Sequence, residues 1–385
     1  MNRRAPRQIL LAAFLLGLAL PAAPAAAAPP ANAGRHIVLL DDSVRDPQAV
    51  AAEHARKHGA EVTYVYEHAV KGYAATFRGT GAADVARDHR VRLVEPDRQV
   101  SISTLQTSPP WGLDRIDQRS ATPLNGFTYN ATGADVTAYV IDTGIRTSHD
   151  EFGTRASFGF DAFGGQGEDC NGHGTHVAGT IGGETYGVAK GVKLVAVRVL
   201  DCDGYGSWSG VIAGINWVTG NHVAGTPAVA NMSLGGGASN AVDAAVRGSI
   251  GDGVSYAVAA GNGNIAGKAQ DACKSSPARV SEAMTIGATD SIDRKTSWSN
   301  YGNCVDWFAP GVGILSAGVA SDTATDTFSG TSMATPHTAG VTALYLQTHS
   351  TASPAAVRQA LYDLTTKGKV TSSKTVNNHL LFTNL

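Results

Sequence analysis

Five apolar runs in the later part of the chain constrain its fold more than any other feature. They are "DVTAYVID" (residues 135–142), "KLVAVRVLD" (193–201), "AVANMSL" (228–234), "GVSYAVAAGN" (253–262) and "AMTIGATD" (283–290). Each is near-continuously apolar, where a strand with one wet face would alternate. Stretches with helical character separate or follow them: "GTHVAGTIGG", "SWSGVIAGINWV", "NAVDAAVRGSI", "TSMATPHTAGVTALYLQTH" and "SPAAVRQALYDLT". Strands buried on both faces and alternating with helices describe an α/β fold, a mostly parallel sheet in three layers. Such sheets gather ligands at the carboxyl ends of their strands.

Composition agrees with a compact, loop-rich protein: 43% apolar, 16% charged and 45 glycines in 385 residues. A formal net charge of -2 gives no electrostatic case for nucleic acid or an anionic membrane as partner. Residues 1–28 read as a secretory signal: Arg3, Arg4 and Arg7, an apolar run over 9–20, then "PAAPAAAAPP". That run is too short to span a bilayer comfortably. Secretion permits disulfides among Cys170, Cys202, Cys273 and Cys304, which allow three connectivities that the residues alone do not choose between. A separate unit occupies residues 35–100. Its order βαββαβ suggests a ferredoxin-like α+β sandwich, and the polar "RQVSISTLQTSPP" (98–110) reads as a linker.

Four polar residues fall where the parallel sheet puts its ligands. Asp142 ends "TAYVID", Asn262 ends "YAVAAGN", and His173 and Ser332 open helices in "NGHGTHVAG" and "SGTSMATPH". Taken singly, these are turn residues and helix caps. Together, an acid, an imidazole and a hydroxyl form a triad in which the carboxylate orients the imidazole, the imidazole takes the serine proton and the oxygen attacks a carbonyl.

The motifs "YVIDTGI", "NGHGTHVAGTIGG", "SLGGG", "AAGN" and "GTSMATPH", in that order, resemble the subtilisin-like serine peptidases. The match with the proteinase K and aqualysin branch runs from "PWGLDRIDQ" through "SNYGNCVDWFAPG". The resemblance implies a subtilisin-like peptidase domain over 104–385 and an inhibitory propeptide over 29–103. The enzyme would be a secreted serine endopeptidase with no catalytic cofactor, expected to be monomeric. Asp142, His173 and Ser332 would form the triad. Ser332 is preferred over Ser329 and Thr331 by motif match alone. Asn262 would donate its amide to the oxyanion beside the Ser332 N–H. By analogy with a subtilisin, losing such a donor costs on the order of 10²–10³ in rate. Pro336 would fall near the start of its helix, where a missing N–H costs least.

Further roles follow from the same resemblance. Ser207, Trp208 and Ser209 on one side, and Ser233, Leu234 and Gly235 on the other, would flank an extended protein or peptide substrate. Ala259, Ala260 and Gly261 would line a roomy apolar S1 pocket, favouring apolar or aromatic P1 residues. Cys170 would pair with Cys202, and Cys273 with Cys304. Each pair closes a loop of about thirty residues, for a contribution of ~3 kcal/mol in the chain-entropy model. Structural calcium would be held by Asp306 with the carbonyls of Ser281 and Ala283, and by Asp114, Asp117 and Gln118. An α/β-hydrolase esterase is the alternative enzyme class, but it needs G-x-S-x-G, and Ala334 stands where the second glycine belongs. A catalytically inactive binding protein would normally lack a triad member, and none is missing.

Overall fold

In the computed structural model, residues 34–68, 70–97 and 104–385 are described, and the chain divides into two units between residues 101 and 102. The expected signal at 1–28 and the tail of the expected propeptide, residues 98–103, lie outside the described residues.

The first unit runs β1 (Arg35–Leu40), α1 (Pro47–His58), β2 (Glu61–Tyr66), β3 (Gly72–Thr76), α2 (Gly81–Val85) and β4 (Val91–Pro96). Its antiparallel strands lie in the order β2-β3-β1-β4, the ferredoxin-like arrangement that βαββαβ suggests. Helix α1 starts where Asp46 accepts the Ala49 N–H at 2.8 Å, with Pro47 at its first position. It ends at Gly59, whose φ of 63° is a left-handed cap. Helix α2 is only five residues long. Asp88 turns back on the chain and accepts the Arg90 N–H at 2.8 Å, a local bond that competes with a further helical turn.

The second unit runs β5 (Thr104–Thr107), α3 (Trp111–Ile116), β6 (Gly126–Tyr129), β7 (Thr137–Asp142), β8 (Ala156–Asp161), α4 (His173–Gly182), β9 (Lys193–Arg198), α5 (Trp208–Asn221) and β10 (Ala228–Met232). It continues with β11 (Gly236–Gly237), α6 (Asn240–Gly251), β12 (Ser255–Ala259), β13 (Ser275–Ser276), β14 (Met284–Thr289) and β15 (Trp307–Pro310). Finally come β16 (Ile314–Ala317), β17 (Thr325–Phe328), α7 (Thr331–Thr348) and α8 (Pro354–Leu364). Part of the expected linker is therefore strand β5, paired antiparallel with β6.

Seven strands form one parallel sheet in the order β15-β14-β12-β10-β7-β9-β8. Alternate residues feed different cores, as the period of two requires. Ala138 and Val140 of β7 join the core with Val177 and Ile181 of α4 and Leu344 of α7. Tyr139 and Ile141 join the other, with Val211 and Ile215 of α5 and Val246 of α6. This is the three-layer α/β fold that the apolar runs imply. The chain extends the sheet from β7 to one side through β9 and β8, then crosses to the other side at β10. The ends of β7 and β10 thus border a switch point, where open α/β sheets place their sites.

Candidate active site

Asp142 closes β7 and is fully buried. Its Oδ1 accepts the Thr143 N–H at 2.8 Å and meets His173 Nδ1 at 2.6 Å. A carboxylate only accepts, so Nδ1 carries the ring proton and Nε2 is left as the base. Burial disfavours the imidazolium, but the charge and hydrogen bond of Asp142, with Asp169 behind, outweigh it and raise the His173 pKa above its ordinary 6.5.

The helix that carries His173 is fastened by an acid that the motif reading passed over. Asp169 Oδ1 accepts the Thr143 hydroxyl at 2.9 Å and the N–H groups of Asn171 at 3.0 Å and Gly172 at 2.9 Å. Its Oδ2 accepts the Thr175 N–H at 2.8 Å and hydroxyl at 2.6 Å. Thr143 Oγ1 in turn accepts the Gly174 N–H at 2.9 Å. The first N–H groups of α4 are thereby satisfied next to a negative charge, as a helix N-terminus favours.

Ser332 is the second residue of α7, and its N–H has no hydrogen-bond partner among the described residues. Its Oγ donates to the Ser233 carbonyl at 3.0 Å rather than to His173. Asn262 Oδ1 accepts both the N–H and the hydroxyl of Thr331 at 2.8 Å. An N–H can only donate, so the bond fixes which end of the amide is oxygen and leaves Nδ2 as a free donor. That nitrogen faces Gly330, where an added Cβ would meet it at 3.3 Å. Pro336 is the sixth residue of α7, beyond the four positions whose N–H groups are free anyway. The position is viable for another reason: the Ser332 carbonyl, which residue 336 would normally bond, accepts the Ser233 hydroxyl at 2.8 Å.

Two buried histidines stand behind the site. Burial pushes His176 and His337 down to about 4, so both are neutral near pH 7. His176 Nε2 bonds the Ile314 carbonyl at 2.8 Å, and His337 Nδ1 bonds the Met333 carbonyl at 2.9 Å.

His173 lies on the rim of an open cleft of about 540 Å³ whose walls include Gly204, Gly206, Trp208 and Leu234. An adjoining pocket of about 420 Å³ is lined by Ala259, Ala260, Gly261, Asn262, Thr331 and Ser332. Residues 233–237 border both. The Trp208 ring lies over Gly236, where an added Cβ would sit 2.7 Å from it. Ser207 and Ser209 do not line either cavity. Ser207 caps α5 by accepting the Gly210 N–H at 3.2 Å, and its hydroxyl pairs with that of Ser209 at 2.9 Å.

The expected calcium ligands divide into two kinds. Asp306 Oδ2 accepts the Thr285 N–H at 2.8 Å, and its Oδ1 is bound by the Arg358 guanidinium. Both oxygens are engaged and a positive charge is already supplied, so the Asp306 carboxylate, expected to act with the carbonyls of Ser281 and Ala283, is not open to a cation as arranged. Burial still pushes Asp306 up to about 6, against the pull of Arg358. Asp117 and Gln118 do fit, while Asp114 beside them has its Oδ1 taken by the N–H groups of Leu124 and Gly126. Asp117 Oδ1 and Gln118 Oε1 are buried oxygens without a hydrogen-bond partner, and burial pushes Asp117 up to about 6. Oxygen donors in want of a positive charge suit a hard cation. Among the described residues, no group of three or more His, Cys, Asp or Glu is arranged to hold a metal.

Cys170 is bonded to Cys202 and Cys273 to Cys304, the pairs implied by the resemblance. The first disulfide ties the His173 loop to the segment after β9.

Comparison with known proteins gives a consistent picture. Residues 133–380, more than half of the chain, match the model described as the subtilase family, and residues 35–103 match that described as peptidase inhibitor I9. The chain is 51% identical to an extracellular serine proteinase of Thermus sp. (strain Rt41A), over 92% of this chain and 90% of that protein. It is 49% identical to an alkaline serine exoprotease A of Vibrio alginolyticus, over 84% of this chain but 61% of the relative. A crystal structure of a cold adapted subtilisin-like serine proteinase superposes with a TM-score of 0.68 at 51% identity, covering 72% of this chain and 98% of that one.

Proposed function

This chain belongs to the subtilase family and is a serine-type endopeptidase, and from that premise we propose that Asp142, His173 and Ser332 are its catalytic triad. The observation that carries the proposal is the Asp142–His173 hydrogen bond at 2.6 Å on the rim of a cleft whose adjoining pocket is lined by Ser332 and Asn262. Ser332 Oγ turns from the Ser233 carbonyl to His173 Nε2, gives up its proton and attacks the scissile carbonyl carbon. The carbonyl oxygen, now negative, accepts hydrogen bonds from the Ser332 N–H and Asn262 Nδ2. The imidazolium, held by Asp142, protonates the leaving amine as the C–N bond breaks. Water then enters, gives a proton to His173 and adds to the acyl carbon; His173 returns that proton to Ser332 Oγ as the ester bond breaks and the carboxylic acid is released.

An extended peptide bonds main chain to main chain between residues 204–206 and 233–237, so few side chains are read and specificity is broad. Ala259, Ala260 and Gly261 leave a pocket for an apolar or aromatic P1 residue. Expected on a panel of peptide anilides is preference for Phe and Leu at P1. A requirement for Lys or Arg would overturn the pocket assignment.

The peptidase is secreted, a reading that the names of its extracellular relatives support. Residues 29–103 act as its inhibitor and folding template and are removed by the enzyme itself, a role supported by the inhibitor-type match. Calcium binds at Asp117 and Gln118, beside Asp114. Thermal unfolding should shift down in chelator, and Asp117→Asn should abolish the shift.

A further inference from the structure

The turn that carries Asn262 is clamped by one buried side chain to which the motifs assign no role. Asn300 is 3% exposed. Its Oδ1 accepts the N–H of Gly263 at 3.1 Å and of Gln270 at 2.7 Å. Its Nδ2 donates to the Ala260 carbonyl at 2.8 Å, and its backbone N–H donates to the Gly261 carbonyl at 2.9 Å. Residues 260, 261 and 263 are thus all tied to Asn300, while Asn262 itself is tied to Thr331. Because N–H groups only donate and carbonyls only accept, these partners fix the orientation of the Asn300 amide. Gly261 is fitted to it: φ is +98°, and an added Cβ would lie 2.6 Å from Asn300 Nδ2. Asn300 is secured in its turn. Lys295 Nζ donates to the carbonyls of Thr296 at 2.7 Å and Ser299 at 2.9 Å, and Ser299 Oγ accepts the Ala288 N–H at 3.0 Å.

We propose that Asn300 is a positioning residue: it sets the backbone of residues 260–263 and thereby aims Asn262 Nδ2 at the oxyanion. The inference rests on the oxyanion role proposed for Asn262. An oxyanion donor works only where it meets the developing charge at hydrogen-bond distance, and a misplacement of about 1 Å costs about 10²-fold. Residues 260 and 261 also line the P1 pocket, so a loss of general packing would raise KM. A loss of aim lowers kcat.

The test is a double-mutant cycle between Asn300→Ala and Asn262→Ala. It uses the mature enzyme on one peptide anilide, with rates divided by the number of sites that react with a serine-directed phosphonate. Asn300→Ala is expected to lower kcat about 10-fold with KM within about two-fold of wild type, and to add less than about two-fold when Asn262 is already Ala. An equal loss from Asn300→Ala in both backgrounds, or no loss in kcat, overturns the positioning role. If Asn262→Ala itself leaves kcat unchanged, the oxyanion assignment fails first, and the inference with it. Should Asn300→Ala not fold, Asn300→Asp keeps both N–H acceptors and removes the bond to Ala260. It carries the same cycle with a smaller expected loss.

Discussion

Helices α4 and α7 both begin at the active-site cleft, and their N-termini are finished in opposite ways. At α4, the N–H groups of His173, Gly174 and Thr175 go to the side chains of Asn171, Thr143 and Asp169. At α7, Asn262 takes the Thr331 N–H and the Ser332 N–H is left open. The first end is neutralised by a resident carboxylate, which makes it a mount for the imidazole. The second keeps its positive end for a charge that exists only during the reaction. The same local physics serves permanence at one helix and catalysis at the other.

The contrast can be broken in order of expected effect. Asp142→Asn removes the charge that holds the imidazole while leaving the α4 bonds in place. Steady-state kcat should fall about 10⁴-fold, by analogy with other triads, with little change in thermal midpoint. Asp169→Ala should do the converse. It strips acceptors from buried donors, so urea unfolding in the Ser332→Ala background should show a loss of about 3 kcal/mol or more.

A third test uses pH. The base must be neutral to take the serine proton, and Asp142 raises the His173 pKa, so the acid limb of kcat/KM should lie above pH 6.5. A limb at or below pH 6.5 would mean that burial, not Asp142, dominates. The smallest expected effect is at the carbonyl left over by Pro336. Ser233→Ala should cost about 1 kcal/mol in unfolding. Pro336→Ala restores a backbone donor and should recover the part of that loss due to the Ser332 carbonyl, leaving the part due to Asn231 Nδ2, which the Ser233 hydroxyl accepts at 2.9 Å.

The legible parts of the molecule were those written in contiguous residues. The near-continuous apolarity of β7 and its partner strands is local, and so is the order of elements in the first unit, so the three-layer and βαββαβ arrangements could be read directly. His173 and Ser332 stand in motifs whose order is itself informative. The roles of Asp169 and Asn300 were not legible. Each is a polar residue in an irregular loop, and its importance lies in partners up to 40 residues away. Ser207 and Ser209 belong to the groove only by the resemblance of their segment; the Ser207 hydroxyl caps α5 and pairs with that of Ser209. Asp306 could be matched to a metal position from its own motif. That Arg358, 52 residues later, supplies the positive charge instead is visible only once α8 is packed.

The most direct measurement is the intact mass of the secreted protein, wild type beside Ser332→Ala. Self-processing by the proposed triad predicts wild type beginning near Thr104, while Ser332→Ala keeps residues 29–103 unless active enzyme is added. Identical trimming of both without added enzyme would contradict it.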